Sequence, residues 1–404
     1  MRAISAELGL SPTTVNAGIS LLRSRGLVAT RERSRSFVAW RPPLGSVWPR
    51  TSIPAGVRDL ASGNPDPDLL PDLAAALRRL DLPPRPYGAD PAVPELLALA
   101  RDEFESEGID GGNLVVVSGA LDGVERVLSA HLRPGDAVAV EDPGYPGVLD
   151  LCRSLGLILC PVAIDDEGMV PDALAEAIAV RARALVITPR GQNPTGASLT
   201  AERARRLRRE LARAPDLLVV EDDHLGSVGD SARRTLVAGR VRWAAVRSLA
   251  KSFGPDLRVA IMAGDAETID RVSGRLLLGP QWVSHVLQRL AVAIWSDRAA
   301  SKRLARARER YGERRRELVD RLGDHGIQVS SPSGLNVWIP VVDEASAVVG
   351  LAQRGWAVAA GGPFRLRAGP AIRVTTSALD AGDAARLARD VAEALAPVRR
   401  TRAA

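Results

Sequence analysis

From position 59 onward, short and nearly continuous apolar runs alternate with stretches of helical spacing. NLVVVSG (113–119), DAVAVEDP (136–143), ALVITP (184–189), LLVVEDD (217–223) and VRWAAVRSLAKS (241–252) read as strands. Between them LDGVERVLSAHL, YPGVLDLCRSLG, PDALAEAIAV and TAERARRLRREL carry apolar residues every three or four positions and read as helices. Strands this uniformly apolar need cover on both faces. The pattern therefore predicts the α/β class, with a mainly parallel sheet between two helical layers. After about 300 a long charged helix precedes GLNVWIPV, GWAVAA and AIRVTT, which predicts a smaller α+β unit.

The first fifty residues follow another pattern. Ile4 and Leu8 mark a short helix and Gly9 a turn; SPTTVNAGISLLRSRG then has Ser11 as a natural N-cap, Pro12 at the first helical position, and Val15, Ile19 and Leu22 at helical spacing. GLVATRERSRSFVAW alternates toward a two-stranded wing. Residues 39–58 hold four prolines and little periodicity, so they read as a linker. The expected organisation is a helix-turn-helix with wing at 1–38, a linker at 39–58, a large domain at 59–298 and a small one at 299–398.

Charge separates the same parts. Residues 1–50 hold eight arginines against Glu7 and Glu32, so the whole chain's net charge of +6 lies there and the remainder balances at 46 basic and 46 acidic groups. Positive charge confined to one end points to nucleic acid. No apolar run reaches the roughly 18 residues of a membrane span, and no signal peptide opens the chain. With Cys152 and Cys160 as the only cysteines, neither a disulfide framework nor a metal site is expected, and a cytoplasmic location is. Lysine is rarer still: among 54 basic residues only Lys251 and Lys302 are lysine. Lys302 opens a solvated, charge-rich helix, whereas Lys251 stands among small and apolar residues in SLAKSFGPDLRVA. A chain that prefers arginine but keeps lysine here has use for a cation that can lose its proton.

Ligands of open α/β sheets bind beyond the carboxyl ends of the strands, and the polar residues collect there. The first strand runs into Ser118, Gly119 and Ala120 at a helix start suited to phosphate. The second runs into EDPGYPG with Tyr145, a ring suited to stacking on a flat cofactor. The third reaches PRGQNPTG with Asn193, the fourth Asp222, and the fifth Ser248 and Lys251, with Arg258 seven residues on.

With SGNPDPDLLPDL, PYGADP, SGALDGV, EDPGYPG, TPRGQNPTG, VVEDDH, SLAKSFGPDLR and AIRV, the chain from about 59 to 396 resembles fold-type I aminotransferases. The start resembles the winged helix-turn-helix of the GntR family, and the combination resembles the MocR-type regulators. The resemblance implies pyridoxal 5′-phosphate held as an imine on Lys251. It also implies Asp222 on the pyridine N–H, Asn193 on the ring oxygen, Tyr145 over the ring, and Arg258, Ser248, Gly119 and Ala120 around the phosphate. Tyr87 would reach the phosphate of a partner subunit in a homodimer, and Arg373, with Asn193 and Gly63, would hold a substrate carboxylate. Ser11, Thr13, Thr14 and Asn16 would begin the recognition helix, and Arg31, Arg33 and Arg35 would lie on the wing against DNA.

The chain departs from the family at several places. His224 stands where a tyrosine usually contacts the ring oxygen, and a histidine there is expected to titrate near neutral pH. Ala250 replaces a common serine, and AVPELL replaces a glycine-led stretch. The family's module begins with a helix ahead of position 1, so either a misassigned start or a weakened DNA-binding unit is expected. The leading reading is a transcription regulator that senses an amino compound or the cofactor itself through Lys251. The alternatives are a working aminotransferase, converting amino acid and 2-oxo acid, with a vestigial start, and a lyase or decarboxylase on the same scaffold.

Overall fold

The computed structural model describes residues 2–24, 28–30, 36–38, 53 and 55–395. At the start, helix Arg2–Leu8 and helix Pro12–Ser24 are followed by β1 (Val28–Thr30) and β2 (Ser36–Val38), antiparallel with Ala29 opposite Phe37. Ser11 caps the second helix: its Oγ accepts from the Thr14 amide at 3.1 Å. Thr13, Thr14 and Asn16 are exposed while Val15 is buried. Arg31, Arg33 and Arg35 lie outside the described residues.

A short strand, β3 (Arg58–Asp59), precedes the main sheet. The strands of that sheet are β4 (Leu114–Val117), β5 (Ala137–Asp142), β6 (Ile158–Asp165), β7 (Gly168–Met169), β8 (Ala184–Ile187), β9 (Leu218–Asp223), β10 (Trp243–Ser248) and β11 (Ala260–Gly264), in the order 4-11-10-9-8-5-6-7. Strands β10, β9, β8, β5 and β6 run parallel; β11 is antiparallel to both its neighbours. The apolar runs supply both faces: on β9, Val219 belongs to one buried cluster while Leu218 and Val220 belong to the other. The parallel, doubly covered sheet expected from the sequence is present. Strands β6, β7 and β11 were not legible in it, because β6 is half-exposed and carries Pro161, and β11 returns antiparallel to β10 after only the short segment that carries Lys251.

The small unit holds β12 (Asn336–Pro340), β13 (Trp356–Ala357), β14 (Ala359–Ala360) and β15 (Ala371–Thr375), with β12 and β14 antiparallel to the central β15. β13 pairs in parallel with β3, so the chain entering the body lies first against its last domain. The 27-residue helix Arg298–Asp324 joins the two cores: Leu304, Ala307 and Tyr311 pack in the large one, Leu318 and Leu322 in the small one. Among the described residues no helix is long and apolar enough to cross a membrane.

Candidate functional site

At the carboxyl edge of β4, β5, β8, β9 and β10 lies a cavity of about 240 Å3. It is lined by Gly63, Ala120, Tyr145, Asn193, Asp222, His224, Ser248, Lys251, Arg258 and Arg373, together with Ser62, Leu121, Thr188, Ala250 and Pro255. Parallel strands end on the same edge, so residues far apart in the chain meet there. Gly119 stands one residue behind Ala120, at the N-cap of helix Ala120–His131, whose first turn has no side-chain cap. Tyr87 lies elsewhere, 87 % exposed and edge-on to Trp282 at 5.8 Å.

Lys251 lies in the short helix Ala250–Phe253 after β10, and its Nζ donates to the Gly63 carbonyl. Burial, helped by the Arg373 charge, brings its pKa down to about 8, which makes neutral amine accessible near physiological pH. Asp222 is the penultimate residue of β9, with Oδ1 buried and without a hydrogen-bond partner. Burial and the neighbouring Asp223 push its pKa up to about 7. His224, half-buried at the wall, is brought down to about 4 by burial and the Lys251 charge. This corrects the expectation of a histidine titrating near neutrality: an imidazole denied solvent beside cations stays uncharged.

Arg258 adopts left-handed backbone (φ 49°) and its Nη2 donates to the Ser118 carbonyl at 3.1 Å. Such strain in a non-glycine residue marks a position held by its surroundings. The guanidinium crosses Gly119 so closely that a Cβ there would stand 2.9 Å from Nη2, at a φ of +102°. Gly119→Ala should therefore weaken pyridoxal phosphate binding by at least about tenfold and leave pyridoxal, which lacks the phosphate, nearly unaffected. Equilibrium titration with the two compounds checks this, and equal losses would refute it.

Arg373 of β15 is fully buried, its Nη1 donating to Asn193 Oδ1 at 3.2 Å and its Nη2 to the Ala61 carbonyl, with the guanidinium 4.9 Å from the Phe364 ring centre. Sequence reading missed what lies behind Asp222. The next carboxylate, Asp223, accepts from Arg190 Nε and Nη2 at 2.9 and 2.7 Å, with Arg247 at 3.4 Å and Arg233 at 3.9 Å; Arg247 and Arg233 also reach Glu107. Burial opposes its charge, but these guanidinium groups outweigh it and hold the Asp223 carboxyl below the usual range. Register explains the division: Arg247 lies opposite Asp223 across β9 and β10, and Val246 opposite Asp222. Alternation sends Asp222 to the cavity and Asp223 to the ion cluster behind.

Two more buried carboxyls are raised chiefly by burial, Glu141 to about 8 and Glu221 to about 7. With Asp222 they keep their protons in the folded ligand-free protein at pH values where the unfolded chain has lost them. Folded protein then binds more protons, so stability falls as pH rises. Lowered His224 and His131 work in the opposite sense, chiefly below pH 6.5, and lowered Lys251 does so chiefly above about pH 8. Between pH 6.5 and 8 the carboxyls dominate, and the net loss should be on the order of 2–3 kcal/mol. Urea denaturation at both pH values measures it; stability that rises across this interval would contradict the assignment.

Three cations, Lys251, Arg258 and Arg373, face one cavity carboxylate whose buried oxygen lacks a partner. That set fits a phosphorylated, anionic pyridine carrying an aldehyde. Asp222 would take the ring N–H, Arg258 with the uncapped helix start the phosphate, and Lys251 the aldehyde carbon. Among the described residues no cluster of three or more His, Cys, Asp or Glu side chains could hold a metal ion.

Residues 56–391 match the family Aminotransferase class I and II. The chain is 38% identical over 401 residues, 98% of its length and 92% of the relative's, to the vitamin B6 salvage pathway transcriptional repressor PtsJ of Salmonella typhimurium. It is 28% identical to the aminotransferase tdiD of Emericella nidulans, over 74% of this chain and 78% of that one. An archaeal alanine:glyoxylate aminotransferase superposes with a TM-score of 0.77 at 22% identity, covering 84% of this chain and 90% of the other.

Proposed function

Because the chain belongs to the aminotransferase class I and II family, and is similar over nearly its whole length to a transcriptional repressor, we propose that it is a pyridoxal phosphate-dependent transcription regulator of the MocR type. One observation carries the cofactor half: Lys251 with a lowered pKa and Asp222 with an unpartnered buried oxygen line one cavity with Arg258. When bound, pyridoxal phosphate supplies an aldehyde that captures amines and a ring that withdraws electrons. The chain's own residues would orient it: Tyr145 against the ring, neutral His224 and Asn193 beside the ring oxygen, and Ser248 near the phosphate, all of them lining the same cavity. The regulator half is supported by the excess of eight arginines over two acids in the first fifty residues, next to the exposed Thr13, Thr14 and Asn16. The ligands are DNA on one side and a vitamin B6 compound or small amine on the other, and the expected location is the cytoplasm.

Retardation of the DNA flanking the protein's own gene tests this reading, with and without pyridoxal phosphate. Specific binding should weaken steeply with salt, as phosphate contacts require, and should change on adding the cofactor. No specific retardation in either state would defeat it. The second reading, a working aminotransferase, rests on the Lys251, Asp222, Asn193, Arg258 and Arg373 set and on the likeness to an aminotransferase. Sustained conversion of an amino acid and a 2-oxo acid would favour it. We also infer a homodimer: Tyr87, edge-on to Trp282, is exposed, and so are Leu277 and Leu278, apolar side chains that a second copy could cover. Sedimentation of a monomer at micromolar concentration would exclude it.

A further inference from the structure

Behind the cofactor cavity lies a second cleft, and no side chain that lines it lines the first. It has two parts, of about 280 and 390 Å3, and Ser227 and Arg308 line both, so one opens into the other. Phe253, Ile294, Trp295 and Leu304 wall the first part, with the Phe253 and Trp295 rings edge-on at 6.0 Å. Glu103, Arg190, Ser231 and Arg233 wall the second. An apolar end beside a cationic end, on this scale, is the form of a small-molecule site. The cleft lies at the end of helix His285–Trp295 away from Trp282, apart from the exposed Tyr87.

The charges around the cationic end do not balance. Asp223, Glu103 and Glu107 are shared among Arg190, Arg233 and Arg247. Glu221 also acts on Arg247, but burial pushes its carboxyl up to about 7, so it keeps its proton in mild acid. Arg308, exposed on the helix Arg298–Asp324, has no hydrogen bond or ion pair among the described residues. Four guanidinium groups thus face three charged carboxylates, which leaves room for one further negative charge. Arg190 is placed to share it. The residue is 3 % exposed; its Nε and Nη2 go to Asp223 and its Nη2 also to the Gly226 carbonyl, while Nη1 makes no hydrogen bond among the described residues. A Cβ on Gly229 would stand 2.6 Å from that Nη1, so only glycine leaves this donor uncovered. A buried donor on a charged group gains most from an anionic acceptor.

We propose that this cleft is a second ligand site and that it takes a small aromatic molecule carrying one carboxylate. The ring enters the part walled by Phe253 and Trp295, and the carboxylate lies between Arg190 and Arg308. A phosphate ester would bring a second negative charge toward Glu103, and a neutral ring would leave Arg308 without a partner. The site is independent of what fills the cofactor cavity, yet its walls belong to the same segments. Phe253 stands two residues after Lys251, Arg190 three before Asn193, and Asp223 next to Asp222. The Ser227 amide donates to Ser252 Oγ at 2.9 Å. An occupant therefore bears on the segments that carry Lys251, Asn193 and Asp222 without entering their cavity.

Calorimetric titration of the full chain loaded with pyridoxal phosphate, in mild acid near the pH at which Glu221 is still protonated, tests this with phenylacetate, phenylacetamide and acetate. Phenylacetate should bind one to one with a dissociation constant below about 1 mM. Phenylacetamide keeps the ring without the charge, and acetate keeps the charge without the ring; each should bind at least about tenfold more weakly. Arg308→Gln should weaken phenylacetate about fivefold or more. Ala305→Phe, which fills the apolar part and changes no charge, should abolish its binding. Both positions are exposed on the helix Arg298–Asp324, so both variants should fold and keep the absorption of bound cofactor. Phenylacetate that binds either variant as tightly as the parent chain is lodged elsewhere, and overturns the proposal. Equal affinity for phenylacetamide, or no binding of phenylacetate at millimolar concentration, overturns it as well.

Discussion

Lys251→Ala protein, mixed with pyridoxal phosphate and dialysed, is expected to show none of the visible absorption of lysine-bound cofactor. The effect should be a complete loss. The only other lysine, Lys302, is exposed on the helix Arg298–Asp324, far along the chain from the cavity residues. Lys251→Arg should fail in the same way: arginine keeps the positive charge beside Gly63 but cannot present a neutral amine. Failure of both variants separates the chemistry of the amine from its charge. Colour that survives dialysis in either would show that another group holds the cofactor, and the assignment of this cavity would be wrong at its centre.

The second large effect is expected away from the cavity surface. Asp223→Ala leaves Arg190 and Arg247, both nearly inaccessible to solvent, facing an empty volume with the Arg233 charge close by. Glu107 and Glu103 balance only part of that charge. Removing one partner of a buried ion cluster typically costs about 3–5 kcal/mol, because the desolvated charges that remain have lost their compensation. The loss should appear in urea denaturation of cofactor-free protein. It should exceed that of Arg79→Ala, which breaks a pair whose arginine is 61 % exposed and is therefore worth about 1 kcal/mol or less. A loss below about 1 kcal/mol for Asp223→Ala would mean the cluster contributes little to folding. Because Arg190 joins the loop carrying Asn193 to the strand carrying Asp222, the variant should also bind pyridoxal phosphate more weakly.

How much of this was legible in the sequence varied with range. The order of polar residues at five strand ends, Gly119 to Lys251, could be read because each lies within a few residues of its own apolar run. Strand direction then brings the ends together without further information. The cap at Ser11 is equally local, since its acceptor and donor are three residues apart. His224 marks the limit of such reading: the residue was visible, but its protonation depends on burial and on cations from other segments, which reverses the simple expectation.

The sequence by itself determined the α/β class, the lysine reserved for chemistry and the separation of a basic start from a charge-balanced body. These follow from periodicity, composition and short spacings. Tertiary structure decided the rest. It set Asp222 and Asp223 on opposite faces of β9, one to meet a ligand and one to anchor an ion cluster. It covered Arg373 with Ala61, 312 positions away. It lowered Lys251 and raised Asp222 by removing water from around them. Desolvation and long-range contact are properties of how segments pack, and no local pattern encodes them.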